Sequence, residues 1–211
     1  MEVASGPARA AAAVIALVAW TGLAVQFDAT LDQTGSVAET LWILLRFFTI
    51  WTNLLVAIVM TGLSLGKAIF GSPRLLAFLT LAILLVGIVY NLLLRGLLQL
   101  SGGARFADHL LHEVVPVLVP LFWLFWAPKG RLESRDALLW AVYPFTYLIY
   151  ALIRGAADGK YPYPFLDVAK NGALQTFINC LLIGIGFLAA GYAFVRLERR
   201  LARAPRLARP G

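Results

Sequence analysis

Charged residues are scarce in this 211-residue chain, since Asp, Glu, Lys and Arg together make up 14% of it while 61% of the residues are hydrophobic. A soluble globular domain carries about 25% charged residues. The mean hydropathy of +0.81 agrees with this imbalance. The lack of charge excludes an ordinary soluble domain and predicts an integral membrane protein.

Cysteine and histidine are scarcer still. The single Cys180 cannot form an internal disulfide. The only two histidines, His109 and His112, share one face of a predicted helix, so they cannot clamp a haem from both sides. Together with Glu113 they form only part of a metal-ligand set. We therefore predict no metal and no cofactor, and a metal or haem protein remains the less favoured alternative.

Apolar stretches dominate what is present. A spanning helix needs about 20 mostly apolar residues, and the pattern predicts an all-α, six-helix transmembrane bundle over residues 1–198. A basic tail, 199–211, follows it. The first stretch has an alternative reading as a cleaved signal peptide, because it is Ala-rich with one positive charge before it. The predicted helices cover residues 9–27, 40–65, 75–98, 106–126, 136–154 and 171–196.

Basic residues are unevenly distributed over the connections. They concentrate at the N-terminus, in the second and fourth connections and in the tail, whereas the other connections also carry acidic residues. Lys and Arg in short loops favour the cytoplasmic side, so we expect both termini in the cytoplasm and a multi-pass protein of the cell membrane, such as a bacterial inner membrane. A basic tail after an apolar helix indicates contact with anionic lipid rather than nucleic acid. Its arginines are Arg196, Arg199, Arg200, Arg203, Arg206 and Arg209.

Polar side chains fall at a similar depth in five of the predicted helices, in the half nearer the outside. Polar groups within a bilayer are costly and usually face the protein interior or a wet cavity. We therefore expect one polar cavity in the outer leaflet, above an apolar floor. Its expected residues are Arg46, Thr49, Asn53, Asn91, Arg95, His109, His112, Glu113, Tyr147, Tyr150, Arg154, Gln175 and Asn179.

Two of these residues have the chemistry of ester hydrolysis. The Thr49 hydroxyl becomes a nucleophile only if a base removes its proton, and a neutral imidazole such as His112 is the side chain best tuned for that near neutral pH. An oxyanion also needs hydrogen-bond donors, which Arg, Asn or a backbone N–H can supply. The residues predicted to bind the oxyanion or the substrate are Arg46, Asn53, Asn91, Arg95 and Asn179.

Structural roles compete with these functional ones. A threonine in a membrane helix usually bonds back to a backbone carbonyl, and His112 can serve as a structural hydrogen-bonding residue. His109, closer to the interface, is expected to face solvent or form part of a lid. Asp108 is expected to cap the fourth helix, because it lies near the predicted first turn.

Three segments resemble a known family. They are Phe47-Phe48-Thr49-Ile50, Asp108-His109-Leu110-Leu111-His112 and Tyr163-Pro164-Phe165-Leu166-Asp167. They are similar, in order and approximate spacing, to Phe-Leu-Thr-Phe, Asn-His-x-x-His and Tyr-Pro-Phe-Leu-Glu in the androgen-induced and androgen-dependent membrane hydrolases of animals and their six-helix bacterial relatives.

The resemblance implies a threonine–histidine hydrolase that cleaves fatty acid esters of hydroxy fatty acids through an acyl-threonine. By motif position, Thr49 would be the nucleophile and His112 the base. The chain departs from the animal pattern at Thr52-Asn53, which follow the threonine where those proteins have an Asp, and at Glu113, where they have Thr. These changes leave the pair intact but put the substrate in doubt, so another lipid ester is an alternative.

A function of another class uses the same cavity. A non-enzymatic transporter or small-molecule-binding protein would open its polar cavity to both sides of the membrane. The nearly apolar inner halves of the predicted helices argue against a transport path. We also see no internal repeat of the kind on which many transporters are built.

Overall fold

The computed structural model describes residues 5–97 and 99–203, and within these ranges all regular structure is helical. This confirms the predicted all-α class. Residues 204–211, including the predicted tail residues Arg206 and Arg209, lie outside the described part. The α-helices are α1 (Gly6–Thr34), α2 (Val37–Leu44), α3 (Phe48–Ser64), α4 (Pro73–Val89), α5 (Gly102–His109), α6 (Val115–Trp126), α7 (Ser134–Asp158) and α8 (Val168–Arg203).

Two π-helical turns extend these helices. One, Tyr90–Leu94, continues α4, and the other, Leu110–Val114, joins α5 to α6. Five of the described helical segments are long and apolar enough to cross a membrane, and the bent pair of α2 and α3 would make a sixth crossing. The chain therefore has the make-up of a multi-pass membrane protein.

The helices extend beyond the apolar segments that the sequence pattern marks. The first helix, expected over 9–27, continues to Thr34, where Gly35 adopts φ 67° and its N–H bonds to the carbonyl of Leu31. The last helix, expected over 171–196, runs to Arg203 and so includes the beginning of the predicted tail. Hydropathy marks the lipid-compatible part of a helix, whereas caps and glycines decide where it ends.

The second predicted helix, 40–65, differs most from expectation, because α2 and α3 meet at an angle of 98°. Phe47, between them, has an extended backbone. The break leaves carbonyls without helical partners, and side chains supply the donors. Tyr147 donates to the carbonyl of Arg46 over 2.7 Å, and Trp51 donates to that of Leu45 over 2.7 Å.

Two arginines hold the bent segment against the end of α7. Arg46 donates to both carboxylate oxygens of Asp158, at 2.6 and 2.9 Å, and to the carbonyl of Lys160. Arg154 donates to the carbonyl of Trp42 and lies over its indole ring, 3.8 Å from the centroid. Both arginines are therefore engaged within the protein.

Small residues bring the remaining helices close together. The fully buried Ala12 and Ala19 of α1 lie in the core of the bundle, where α1 packs mainly on α3 and α5. Gly87 of α4 lies against Pro116 of α6. Small side chains at such crossings let backbones approach closely, as is common in membrane helix packing. This close packing sets α3, α4 and the π-helical turn around His112 side by side.

Candidate active site

Thr49 is the second residue of α3, directly after the break. Its hydroxyl oxygen lies 3.1 Å from Nε2 of His112. The carbonyl four residues earlier, that of Leu45, belongs to the break and accepts from Trp51 and Tyr150 instead. The break thus frees the Thr49 hydroxyl from bonding back to its own helix, and the structure joins the two residues that the sequence pairs.

His112 lies in the middle of the π-helical turn Leu110–Val114. Pro116 follows four residues later; it has no N–H to donate to the His112 carbonyl, and its ring would clash with that carbonyl in a regular α-helix. Widening the helix into a π turn relieves this clash, and such turns are frequent at functional sites. The proline therefore explains locally why the helix is irregular where the imidazole projects.

A carboxylate and a phenol hold the far side of the imidazole. Nδ1 of His112 lies 2.9 Å from Oδ1 of Asp108 and 3.1 Å from the Asp108 carbonyl. The other oxygen of this carboxylate accepts from the Tyr90 hydroxyl. The Tyr90 ring also stacks on the imidazole, with centroids 4.2 Å apart and planes 16° apart. With acceptors on both sides of Nδ1, the proton belongs there, and Nε2 presents its lone pair to Thr49.

Sequence reasoning missed these two supporting residues. Asp108 was expected to cap the helix, but α5 begins at Gly102 and Asp108 is its seventh residue. Its spacing of four from His112 was the available signal, because such residues share a helix face. The sequence gives no indication of the role of Tyr90, because its contact joins two different helices.

Tyr163 caps the start of α3 from the loop before α8. Its hydroxyl accepts from the Phe48 N–H over 3.0 Å. Burial raises the pKa of Tyr163, while the neighbouring Thr49 side chain and Tyr147 hydroxyl oppose this change. The phenol therefore stays protonated, and its own proton remains available to an acceptor beside Thr49.

A cavity of about 760 Å³ opens next to Thr49, between α4, α7 and α8. Thr49 and Tyr163 lie in its wall, which consists otherwise almost wholly of apolar side chains and includes no charged residue. Exposed lining residues such as Phe145 and Phe177 continue the apolar surface to the outside of the helices. The expected polar cavity is therefore an apolar one with a polar edge at Thr49.

Asn53, one of the five residues predicted to contact the oxyanion or substrate, is bonded to the protein backbone. Fully buried, it donates from Nδ2 to the carbonyls of Thr49, at 2.9 Å, and Leu111, at 3.2 Å. It thereby ties α3 to the π-helical turn of His112. Its Oδ1 atom has no hydrogen-bond partner among the described residues.

The other predicted contacts are also engaged with the protein. Arg46 is paired as described above, Asn91 donates to the Gly87 carbonyl at 2.8 Å, and Asn179 donates to that of Phe165 at 3.0 Å. Arg95 donates to Asn91 and to Glu113, both at 2.9 Å. None of the five lines the cavity, so their role at the substrate stays a prediction.

His109 takes no part in the Thr49 contact. It is exposed, and its Nδ1 lies 3.0 Å from Oε2 of Glu113. In the described ranges, no group of three or more His, Cys, Asp or Glu side chains is placed to hold a metal ion.

The chain matches no protein-family model, no curated protein and no solved structure. The proposed function therefore rests on the geometry and chemistry at Thr49.

Proposed function

We propose that this protein is an integral membrane ester hydrolase with Thr49 as nucleophile and His112 as general base. The observation that supports it is the 3.1 Å contact between His112 Nε2 and the hydroxyl of Thr49, a residue in the wall of an apolar cavity. A base within hydrogen-bond reach of the hydroxyl, itself oriented by a third group, is the arrangement that activates a hydroxyl nucleophile.

The reaction follows the two steps of covalent acyl transfer. His112 Nε2 takes the Thr49 proton while the hydroxyl oxygen attacks the ester carbonyl carbon. Collapse of the tetrahedral intermediate breaks the bond to the alcohol oxygen, which receives the proton from His112. A water molecule, deprotonated by the same imidazole, then attacks the acyl-threonine. The bond between the acyl carbon and Thr49 Oγ1 breaks, this oxygen takes the proton back from His112, and the acid is released. Asp108 stabilises the imidazolium in both steps.

Tyr163 is the oxyanion donor we propose from the cavity wall. Its hydroxyl already accepts the Phe48 N–H, which leaves its proton free to donate beside Thr49. The dipole at the start of α3 favours negative charge at the same place. A neutral phenol is a suitable donor, as protonated tyrosine is in other oxyanion holes.

The proposed substrate is a lipid ester that enters sideways from the bilayer. Apolar lining continues to the outer surface of α7 and α8, so an acyl chain can slide in without crossing water. The fatty acid esters of hydroxy fatty acids implied by the resemblance are one such class. The proposal includes six crossings, with both termini in the cytoplasm and the site in the outer leaflet of the cell membrane, on the distribution of basic residues.

The test is labelling and turnover of purified protein in detergent. Thr49→Val, an isosteric change, and His112→Ala should each abolish labelling by a fluorophosphonate probe and hydrolysis of a panel of lipid esters. Thr80→Val is the matched control, because Thr80 is also buried but bonds only to the carbonyl of Leu76. Full activity of Thr49→Val, with labelling retained, would reject the nucleophile.

A further inference from the structure

A second threonine borders the cavity that Thr49 borders. Thr176, near the start of α8, is 3% exposed, and its hydroxyl has no hydrogen-bond partner among the described residues. Buried hydroxyl groups are nearly always hydrogen-bonded, so an orphan on a residue of a cavity wall points to a ligand atom.

Other threonines within helices of this protein have a side-chain hydrogen bond that Thr176 lacks. Four of them bond back to the carbonyl four residues earlier, as is common in membrane helices. These bonds join Thr30 to Gln26, Thr52 to Phe48, Thr61 to Ala57 and Thr80 to Leu76, over 2.8, 2.9, 2.6 and 2.8 Å.

The reason that Thr176 differs is a kink in its own helix. The carbonyl four residues earlier belongs to Gly172, whose φ of 74° and ψ of 160° are far from helical. The carbonyl is therefore turned away from the helical position that would accept the hydroxyl. The break before α3 frees Thr49 in the same way. The two threonines released by helix irregularities are thus the two that line the cavity.

The surroundings of Thr176 limit what can bind there. Cys180, one turn later on the same helix face, also lines the cavity and adds only a weak donor. No charged side chain lines the wall, so a carboxylate or a phosphate within the cavity would have no counterion. The wall at Thr176 therefore suits an uncharged polar group.

We propose that Thr176 binds an oxygen atom carried on the chain of the lipid, so that the site prefers an ester whose acyl chain bears an uncharged hydroxyl, keto or second ester group. This inference rests on the proposed function for its turnover assay, but not for binding. Thr176 is a specificity residue, because its hydroxyl contributes only when the substrate brings an acceptor.

The turnover experiment compares para-nitrophenyl stearate with a set of para-nitrophenyl hydroxystearates that carry the hydroxyl at successive positions. The wild-type protein should prefer at least one positional isomer. Thr176→Val should lower kcat/KM for that isomer about tenfold, the loss expected for one hydrogen bond, and leave stearate unchanged. Thr176→Ser should restore the preference, and Thr80→Val should not alter it.

A binding experiment separates the two proposals. In the Thr49→Val protein, methyl hydroxystearates and methyl stearate compete for a fluorescent fatty ester in the cavity. A preference for one hydroxystearate that disappears in the Thr49→Val/Thr176→Val double variant supports the role of Thr176 even if no ester is hydrolysed. The role of Thr176 would be overturned if the double variant lost affinity equally for every ester, or if the preference for one hydroxystearate stayed the same after Thr176→Val.

Discussion

Nδ1 of His112 lies 2.9 Å from the carboxylate oxygen Oδ1 of Asp108, one turn earlier on the same helix face. The second carboxylate oxygen is bound by the Tyr90 hydroxyl, so the carboxylate cannot rotate freely. This arrangement fixes the proton on Nδ1 and directs the lone pair of Nε2 to Thr49. Asp108 acts through His112 and is a positioning residue in the proposed reaction.

Replacing Asp108 by Asn should therefore slow catalysis without weakening substrate binding. The amide can turn an N–H toward Nδ1, which favours the tautomer with its proton on Nε2, where it cannot serve as a base. We expect kcat to fall by about 10²- to 10⁴-fold, the range for loss of an oriented general base. KM for a lipid ester, measured by steady-state kinetics, should change little. The melting temperature, measured by thermal unfolding, should also change little.

Glu113 offers the matched control for Asp108. It is also a carboxylate four residues from a histidine, but its partner His109 is exposed and does not contact Thr49. Glu113→Gln should retain most of the turnover. Equal losses in Glu113→Gln and Asp108→Asn would show that charge near the helix, rather than the orientation of His112, governs the rate.

Tyr163→Phe tests the proposed oxyanion donor. The change removes the hydroxyl beside Thr49, and we expect kcat to fall by about 10²- to 10³-fold, as for the loss of one such donor. Because the Phe48 N–H also loses its acceptor, unfolding should become easier by about 1 kcal/mol. Tyr161→Phe is the control, since Tyr161 lies over Gly155 in the same loop region but does not line the cavity. Unchanged turnover in Tyr163→Phe would remove Tyr163 from the mechanism.

Tyr147→Phe tests how the helix break is stabilised. The Arg46 carbonyl would lose the hydroxyl that binds it and stay buried, at a cost of about 1–3 kcal/mol in unfolding free energy. Tyr143→Phe should cost less, because Thr52 keeps its bond to a backbone carbonyl. Denaturant titration in detergent measures both. A smaller loss for Tyr147→Phe than for Tyr143→Phe would contradict this account of the break.

The sequence predicted the helical class from apolar runs, and it predicted the pairing of Thr49 with His112 from their chemistry and from the resemblance of their motifs to a known family. Apolar runs mark membrane helices, and two conspicuous polar residues at matched depth are expected to meet. The break between α2 and α3 escaped prediction, because residues 45–47 contain neither Gly nor Pro. Its donors, such as Tyr147, come from α7, about a hundred residues away in the chain.

Contacts between residues far apart in the sequence also decide the roles of residues within the site. Arg46 was predicted to bind substrate, but its partner Asp158 lies 112 residues later, and only the folded chain shows that the arginine is engaged. Thr176 was not singled out, because a threonine in an apolar run is usually bonded to its own helix. The kink at Gly172 that changes this is a backbone conformation, which a single glycine in the sequence does not specify.

Gly87→Ala tests whether close packing of α4 on α6 sets the catalytic geometry. A Cβ atom at Gly87 would lie 2.8 Å from Cβ of Pro116, a rigid ring, and 3.6 Å from the carbonyl oxygen of His112. The helices must therefore separate, which moves Tyr90 and His112 relative to Thr49. We expect turnover to fall at least tenfold, since small misplacements of catalytic groups are costly, together with a destabilisation of about 1–3 kcal/mol from overpacking. Gly186→Ala in α8, where nothing lies within 4 Å of the added atom, should leave both unchanged. Normal turnover in Gly87→Ala would show that this contact does not position the histidine.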